Sequence, residues 1–159
     1  KPPTVISQIV AIVNYLHETY NSAGILPNEP LQKAKALQTF AWMNNTVHTT
    51  FTHVFMPAKF SDDAACQAQI SQYNQGVYFK LMQELNALVQ GKTTAYLTGD
   101  TLGALDAYSL TLTRWAGIAK IDPTQFQALW AHVQLVASHP AVAKVVERER
   151  LNLNMFQAG

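Results

Sequence analysis

The chain has 159 residues, of which 48% are apolar and only 13% charged, with a net charge of +1. That length suits one domain with a sizeable hydrophobic core. The near-neutral charge gives no basis for binding nucleic acid or an anionic membrane. The longest apolar runs, such as Ile9 to Val13, fall far short of the roughly 20 residues that a membrane span needs.

No basic segment leads into an apolar stretch, so no signal peptide is visible. A lone cysteine, Cys66, excludes an intrachain disulfide and makes a reducing, cytoplasmic setting the expectation. So little charge also predicts that part of the surface is covered by a partner or another domain. The chain opens on Lys1-Pro2-Pro3 rather than methionine, which a cleaved precursor, a fragment or a trimmed product would each explain.

Strand signals are confined to Thr4-Val5-Ile6, and the rest shows helical spacing broken by proline, glycine and capping residues. A first helix is expected from about Ser7 to Tyr20, with Ile9, Ile12, Val13 and Leu16 on its apolar side. Asn21 to Pro27 is a connector. Pro30 suits the first turn of a long second helix, because its missing N–H costs nothing there. That helix should reach about Phe55 and stop near Pro57. It carries two apolar stripes, one through Ala36, Phe40, Met43, Val47 and Val54, the other through Leu37, Ala41, Phe51 and Phe55. Two such stripes predict burial between neighbours.

Ser61 or Asp62 can cap a third helix bearing Ile70, Tyr73, Val77, Leu81, Leu85 and Leu88, ending near Gly91. After a turn-rich connector around Gly99-Asp100, a fourth helix opens near Gly103 and buries Leu105, Tyr108, Leu112 and Trp115. Gly117 weakens its last turn. Asp106 sits three residues after Gly103, where its carboxylate can bond the backbone N–H at the cap. Leu102 is placed as a hydrophobic staple against Ala107. Asp122-Pro123-Thr124-Gln125 is a capping-box variant that opens a fifth helix with core face Phe126, Leu129, Val133 and Val136. Pro140 breaks it, and a short helix carries Val142, Val145 and Val146. The expected architecture is all-α, an antiparallel helical bundle with one or two short helices wrapped on it.

Four segments, in this order, resemble the glutathione S-transferase family and its bacterial beta class. They are Ser7 to Leu16; Ala41 to His48 followed by Phe51 and Phe55; Tyr96 to Tyr108 with Arg114-Trp115; and His139 to Val142. The third is similar to the family's Leu-x-Gly-x-x-hydrophobic-Ser/Thr-x-Ala-Asp signature. The resemblance implies a bundle of the family's C-terminal type over residues 23–159. It makes residues 1–22 the last helix of a thioredoxin-like domain, whose thiol-activating half has no counterpart here. Glutathione transfer needs a thiolate, and each unit of pKa depression represents about 1.4 kcal/mol. No catalytic residue is therefore assigned.

The resemblance places Gln8, Ile9 and His48 at glutathione. Gln8 reads either as an acceptor for the γ-glutamyl amine or as a helix-cap residue. Ile9 replaces a Ser or Gly and keeps only its backbone N–H. His48, on a stripe with Asn44, Phe51 and Phe55, either lines a cleft or is satisfied in the core. Thr46 and Thr49 replace a Glu and a Lys of the beta class. A hydrophobic electrophile would meet His48, Phe51, Phe55 and Trp115. Gly103 and Asp106 are structural. Glutathione is a possible co-substrate and no cofactor is implied; a homodimer is expected.

No metal site is expected, because His48 and His53 point to different sides of a helix and Pro140 disturbs the run joining His132 to His139. Cys66 reads as a structural cysteine. A non-catalytic scaffold or protein-interaction module of the same fold is the alternative function, and an unrelated helical bundle a third.

Overall fold

A computed structural model describes residues 4–20 and 23–157. The ends of the chain and Asn21-Ser22, the first two residues of the expected connector, lie outside the described residues. Among the described residues seven α-helices follow in order: α1 (Ile9–Thr19), α2 (Pro30–Trp42), α3 (Thr49–Phe55), α4 (Ala64–Gln90), α5 (Ala104–Ala116), α6 (Gln127–Ser138) and α7 (Pro140–Arg148). They form an all-α antiparallel bundle. Among the described residues no helix is long and apolar enough to cross a membrane. Thr4-Val5-Ile6 forms no strand; the one β-bridge among the described residues joins Tyr96 to Gly99 in the connector before α5.

The long second helix is continuous but not uniform. Between α2 and α3 the segment Met43–His48 is a π-helix. Its residues, Asn-Asn-Thr-Val-His after Met43, are all poor α-helix formers. Such wide turns recur at functional sites. Glu29 caps α2, its carboxylate accepting from the N–H groups of Leu31 and Gln32 at 3.0 and 2.8 Å, with Pro30 at the first position.

At α4 the cap is Asp63, whose carboxylate accepts the Cys66 N–H, rather than Ser61 or Asp62; Ser61 turns its hydroxyl to the Asp63 N–H instead. The buried stripe of α4 runs through Tyr78, Leu81, Met82, Leu85 and Val89, while Tyr73 and Leu88 face outward. α6 begins at Gln127, because Asp122-Pro123-Thr124-Gln125 forms a separate short turn. Phe126 offers α6 no capping oxygen, and Asn86 of α4 supplies one from across the interface, accepting the Leu129 N–H at 2.9 Å.

The buried core runs between α2, the π segment, α3, α4 and α5, with Phe40, Met43, Val47, Tyr78, Met82, Leu85 and Leu112 at its centre. A smaller cluster of Leu110, Val133 and Val136 joins α5 to α6. α5 lies between them and is buried on both sides. Its polar groups are satisfied within that setting: Ser109 and Thr113 bond carbonyls of their own helix, and the Tyr78 hydroxyl donates to the Leu112 carbonyl at 2.7 Å.

The apolar side expected for α1 is divided: Ile9, Ile12 and Leu16 are each more than a third exposed, as is Tyr15, while Val13 packs inward. The face turned to the bundle carries Val10, Val13 and the buried His17. The helix is apolar around most of its circumference, so periodicity alone could not choose the inward side.

Asp106 anchors the entry to α5. It is fully buried, its Oδ2 accepts the Gly103 N–H at 2.8 Å, and its Oδ1 accepts the Leu97 N–H at 2.9 Å. The His132 Nε2 on α6 lies 3.1 Å from Oδ1, close enough for an ionic contact but without hydrogen-bond alignment. One carboxylate thus fixes the helix start and the loop before it, and faces α6. Asp106→Ala should cost about 3–5 kcal/mol, because buried donors and His132 lose their partner together. Asp106→Asn, keeping an acceptor oxygen, should cost less. Urea denaturation of the two variants checks the order; equal midpoints would show that an uncharged acceptor contributes nothing and that the loss is that of the charge.

Gly117 has a role beyond ending α5. A Cβ there would strike the backbone of Met155 and Phe156, so the C-terminal tail crosses α5 where only hydrogen fits. The Arg114 Nε donates to the Asn152 carbonyl at 2.7 Å beside this crossing. Gly117→Ala should cost roughly 1–3 kcal/mol by displacing the tail. Calorimetric melts should show this loss disappearing in a chain ending at Arg150.

Candidate functional site

The sequence-derived site residues lie at the start of α1, on the π segment, on α3 and along α5. α1 starts under strain. Gln8, its N-cap residue, has φ 73° and ψ 118°, outside the small left-handed basin that non-glycine residues use. Such conformations cost about 1–3 kcal/mol and concentrate at ligand-binding positions. The Gln8 carbonyl accepts the first helical bond, from Ile12, but its side chain makes no cap hydrogen bond. The exposed amide is thus not explained by capping.

Ile9, the next residue, lines an open cavity of about 240 Å3 with Val13, Phe40, Ala104, Ala107, Tyr108 and Thr111. The walls come from α1, α2 and α5. Tyr108 belongs also to the row of rings beside it. The Phe40 and Tyr108 centroids are 5.0 Å apart, and His48 meets Trp115 edge-on at 4.9 Å. Trp115 stacks on Phe51 at 4.8 Å, and Phe51 on Phe55 at 5.6 Å. These spacings are those of favourable aromatic pairs. The row runs from buried Phe40 to Phe55, which is 53% exposed. Phe51 is buried and backs the row, Trp115 and His48 are half-buried, and Phe55 is its open end.

Polar groups join the cavity to the row. The His48 Nδ1 lies 2.8 Å from the Tyr108 hydroxyl, which lies 3.2 Å from the Asn44 Oδ1. Burial pushes the His48 pKa below the ordinary imidazole value and raises that of Tyr108 to about 12. Both groups are therefore neutral near pH 7. Asn44 and His48 come from the π segment, four residues apart, and Tyr108 from α5.

Tyr108 and Asn44 were not among the expected site residues. Tyr108 reads as core from its helical phase, although a buried tyrosine generally needs a partner for its hydroxyl. Gly103 and Asp106 lie at the α5 start and serve the fold. Among the described residues no group of three or more His, Cys, Asp or Glu side chains is placed to hold a metal ion.

No family model matches the chain. It is 26% identical over 148 residues, 92% of its length and 72% of the relative's, to the Glutathione S-transferase GST-4.5 of Xanthomonas campestris pv. campestris. Its fold is similar to that of a glutathione transferase homolog from Sulfitobacter solved with bound glutathione. The TM-score is 0.83 at 15% identity, covering 93% of this chain and 70% of that one. It is also similar to the beta-class glutathione S-transferase of Sphingomonas chungbukensis, with a TM-score of 0.77 at 17% identity over 92% and 69% of the two chains. The chain is glutathione S-transferase-like, and its bundle is of the helical type found in those proteins.

The depressed pKa of His48 fixes the sign of a pH effect. An unfolded chain takes up a proton near 6.5, whereas the folded protein resists it. The His48 contribution to stability is therefore complete above about pH 6.5 and is lost as pH falls through the lower folded value. Denaturant midpoints measured between about pH 7.5 and about pH 5 should fall less in His48→Gln than in the wild type.

Proposed function

We propose that this chain forms the acceptor-binding, helical side of a glutathione S-transferase-like protein, in which the thiolate of glutathione attacks an apolar electrophile. Residues 23–159 are assigned to the helical domain and residues 1–22 to the last helix of a thioredoxin-like one. The observation that supports the reading is that strained Gln8 precedes Ile9, which lines a cavity with Tyr108, and that the Tyr108 hydroxyl contacts His48, the first ring of the His48–Trp115–Phe51–Phe55 row. Gln8 would accept from the γ-glutamyl amine, and the Ile9 N–H at the helix start would meet its carboxylate. The electrophile would lie beside His48 and Trp115, toward Phe55. The share of these helices in catalysis is proximity: they hold the acceptor where the sulfur can reach it. The same reading makes the protein a cytoplasmic homodimer.

A second reading, a non-catalytic scaffold of the same fold, is favoured by Ile9, Thr46 and Thr49, where the beta class offers more polar groups. Exposed Phe55, Met56 and Phe60 also provide a surface for another protein. Titration calorimetry with glutathione separates the two. Binding is expected, with Gln8→Ala weakening it by about 1 kcal/mol, roughly fivefold in Kd. No heat from the intact protein would reject the first reading and leave the scaffold.

A further inference from the structure

The direction of the hydrogen-bond chain at the site decides which imidazole nitrogen of His48 carries the proton. Asn44 Nδ2 donates to Asn45 Oδ1 at 2.9 Å, which turns Asn44 Oδ1 toward Tyr108. A carbonyl oxygen only accepts, and a phenol has one proton to give. With that proton on Asn44, the 2.8 Å contact between Tyr108 and His48 Nδ1 needs a hydrogen from the imidazole. Otherwise two lone pairs would face each other. The Nε2 then keeps its lone pair. It has no hydrogen-bond partner among the described residues, and His48 as a whole is half-buried.

We propose that Tyr108 and Asn44 are positioning residues: they hold His48 as the Nδ1–H tautomer and leave the Nε2 lone pair as the acceptor offered to an S–H or N–H of a bound molecule. The ligand class this implies is an apolar body carrying a hydrogen-bond donor. Ring packing keeps the imidazole in place, with Trp115 and Tyr108 both edge-on to it. Burial disfavours both the imidazolium and the phenolate, so the chain is assembled from neutral groups. The ligand role of Nε2 rests on the glutathione reading above, whereas the tautomer does not.

Long-range 1H–15N correlation spectra of the protein labelled at histidine nitrogen test the assignment at a pH above 7, with His48→Gln identifying the signals. The expected wild-type pattern is a protonated Nδ1 and an unprotonated Nε2. Tyr108→Phe removes the acceptor for Nδ1–H, and Asn44→Ala frees the phenol to donate to Nδ1. Each should turn the Nε2–H form from minor to dominant. The second variant decides the matter if the first does not fold. A wild-type protein with Nε2 protonated, as a reversed Asn44 amide would give, overturns the proposal, as does a tautomer that neither variant alters. Absence of glutathione binding would reject the reading of the preceding subsection and the ligand role of Nε2 with it, and leave the tautomer assignment standing.

Discussion

The buried carboxylate of Asp106 is the constraint on which the rest of the geometry depends. Gly103 caps α5 without a side chain, so the helix start needs an acceptor from elsewhere, and Asp106 provides it from the third helical position. The same carboxylate takes the Leu97 N–H, closing the connector onto the helix it precedes. A neutral amide has one acceptor oxygen and could keep only one of those bonds. A full charge additionally complements the positive end of the helix dipole and faces the imidazole of His132. Because α5 is rigid, fixing its first turn fixes Tyr108 and Trp115 further along. The chemistry at the site is thus set by a residue that takes no part in it.

Much of this bundle was legible in the sequence, because helices that bury one face announce themselves by period. The stripes of α2 and α3, the proline at the first position of α2, and the Gly103–Asp106 entry to α5 all follow from spacing and capping chemistry. Failures came where several phases were equally apolar. On α1 nearly every side carries a large aliphatic or aromatic residue, and of the side the period favoured Val13 packs inward while Ile9, Ile12 and Leu16 stay exposed. On α4 both Tyr73 and Tyr78 fit helical stripes, and only packing against α5, through the Tyr78 hydroxyl on Leu112, selects the second. The π turn was illegible for another reason: its composition also suits an ordinary helix interrupted by weak formers.

The site divides in the same way. His48 was visible because a histidine within an apolar stripe requires an explanation. Tyr108 was not, because its carbon skeleton is core and its function resides in one hydroxyl. The structure shows why they belong together. Rings supply the surroundings that keep His48 neutral, and the surroundings leave Nδ1 one partner, the Tyr108 hydroxyl. Asn44 then terminates the chain on the protein side, at a place where the backbone has already departed from α geometry.

Ile9 connects this chemistry to the unusual surface. It lines the cavity beside Tyr108, and it also belongs to the exposed apolar face of α1 with Ile12, Tyr15 and Leu16. A chain with only 13% charged residues has apolar area to cover, and contiguous exposed area of this kind marks a contact surface. Anything that covers the α1 face must approach over Ile9, and so forms the remaining wall of the cavity. Water would then be excluded from Phe40 and Tyr108, which line that cavity. Covering the helix and closing the cavity are, in physical terms, one event.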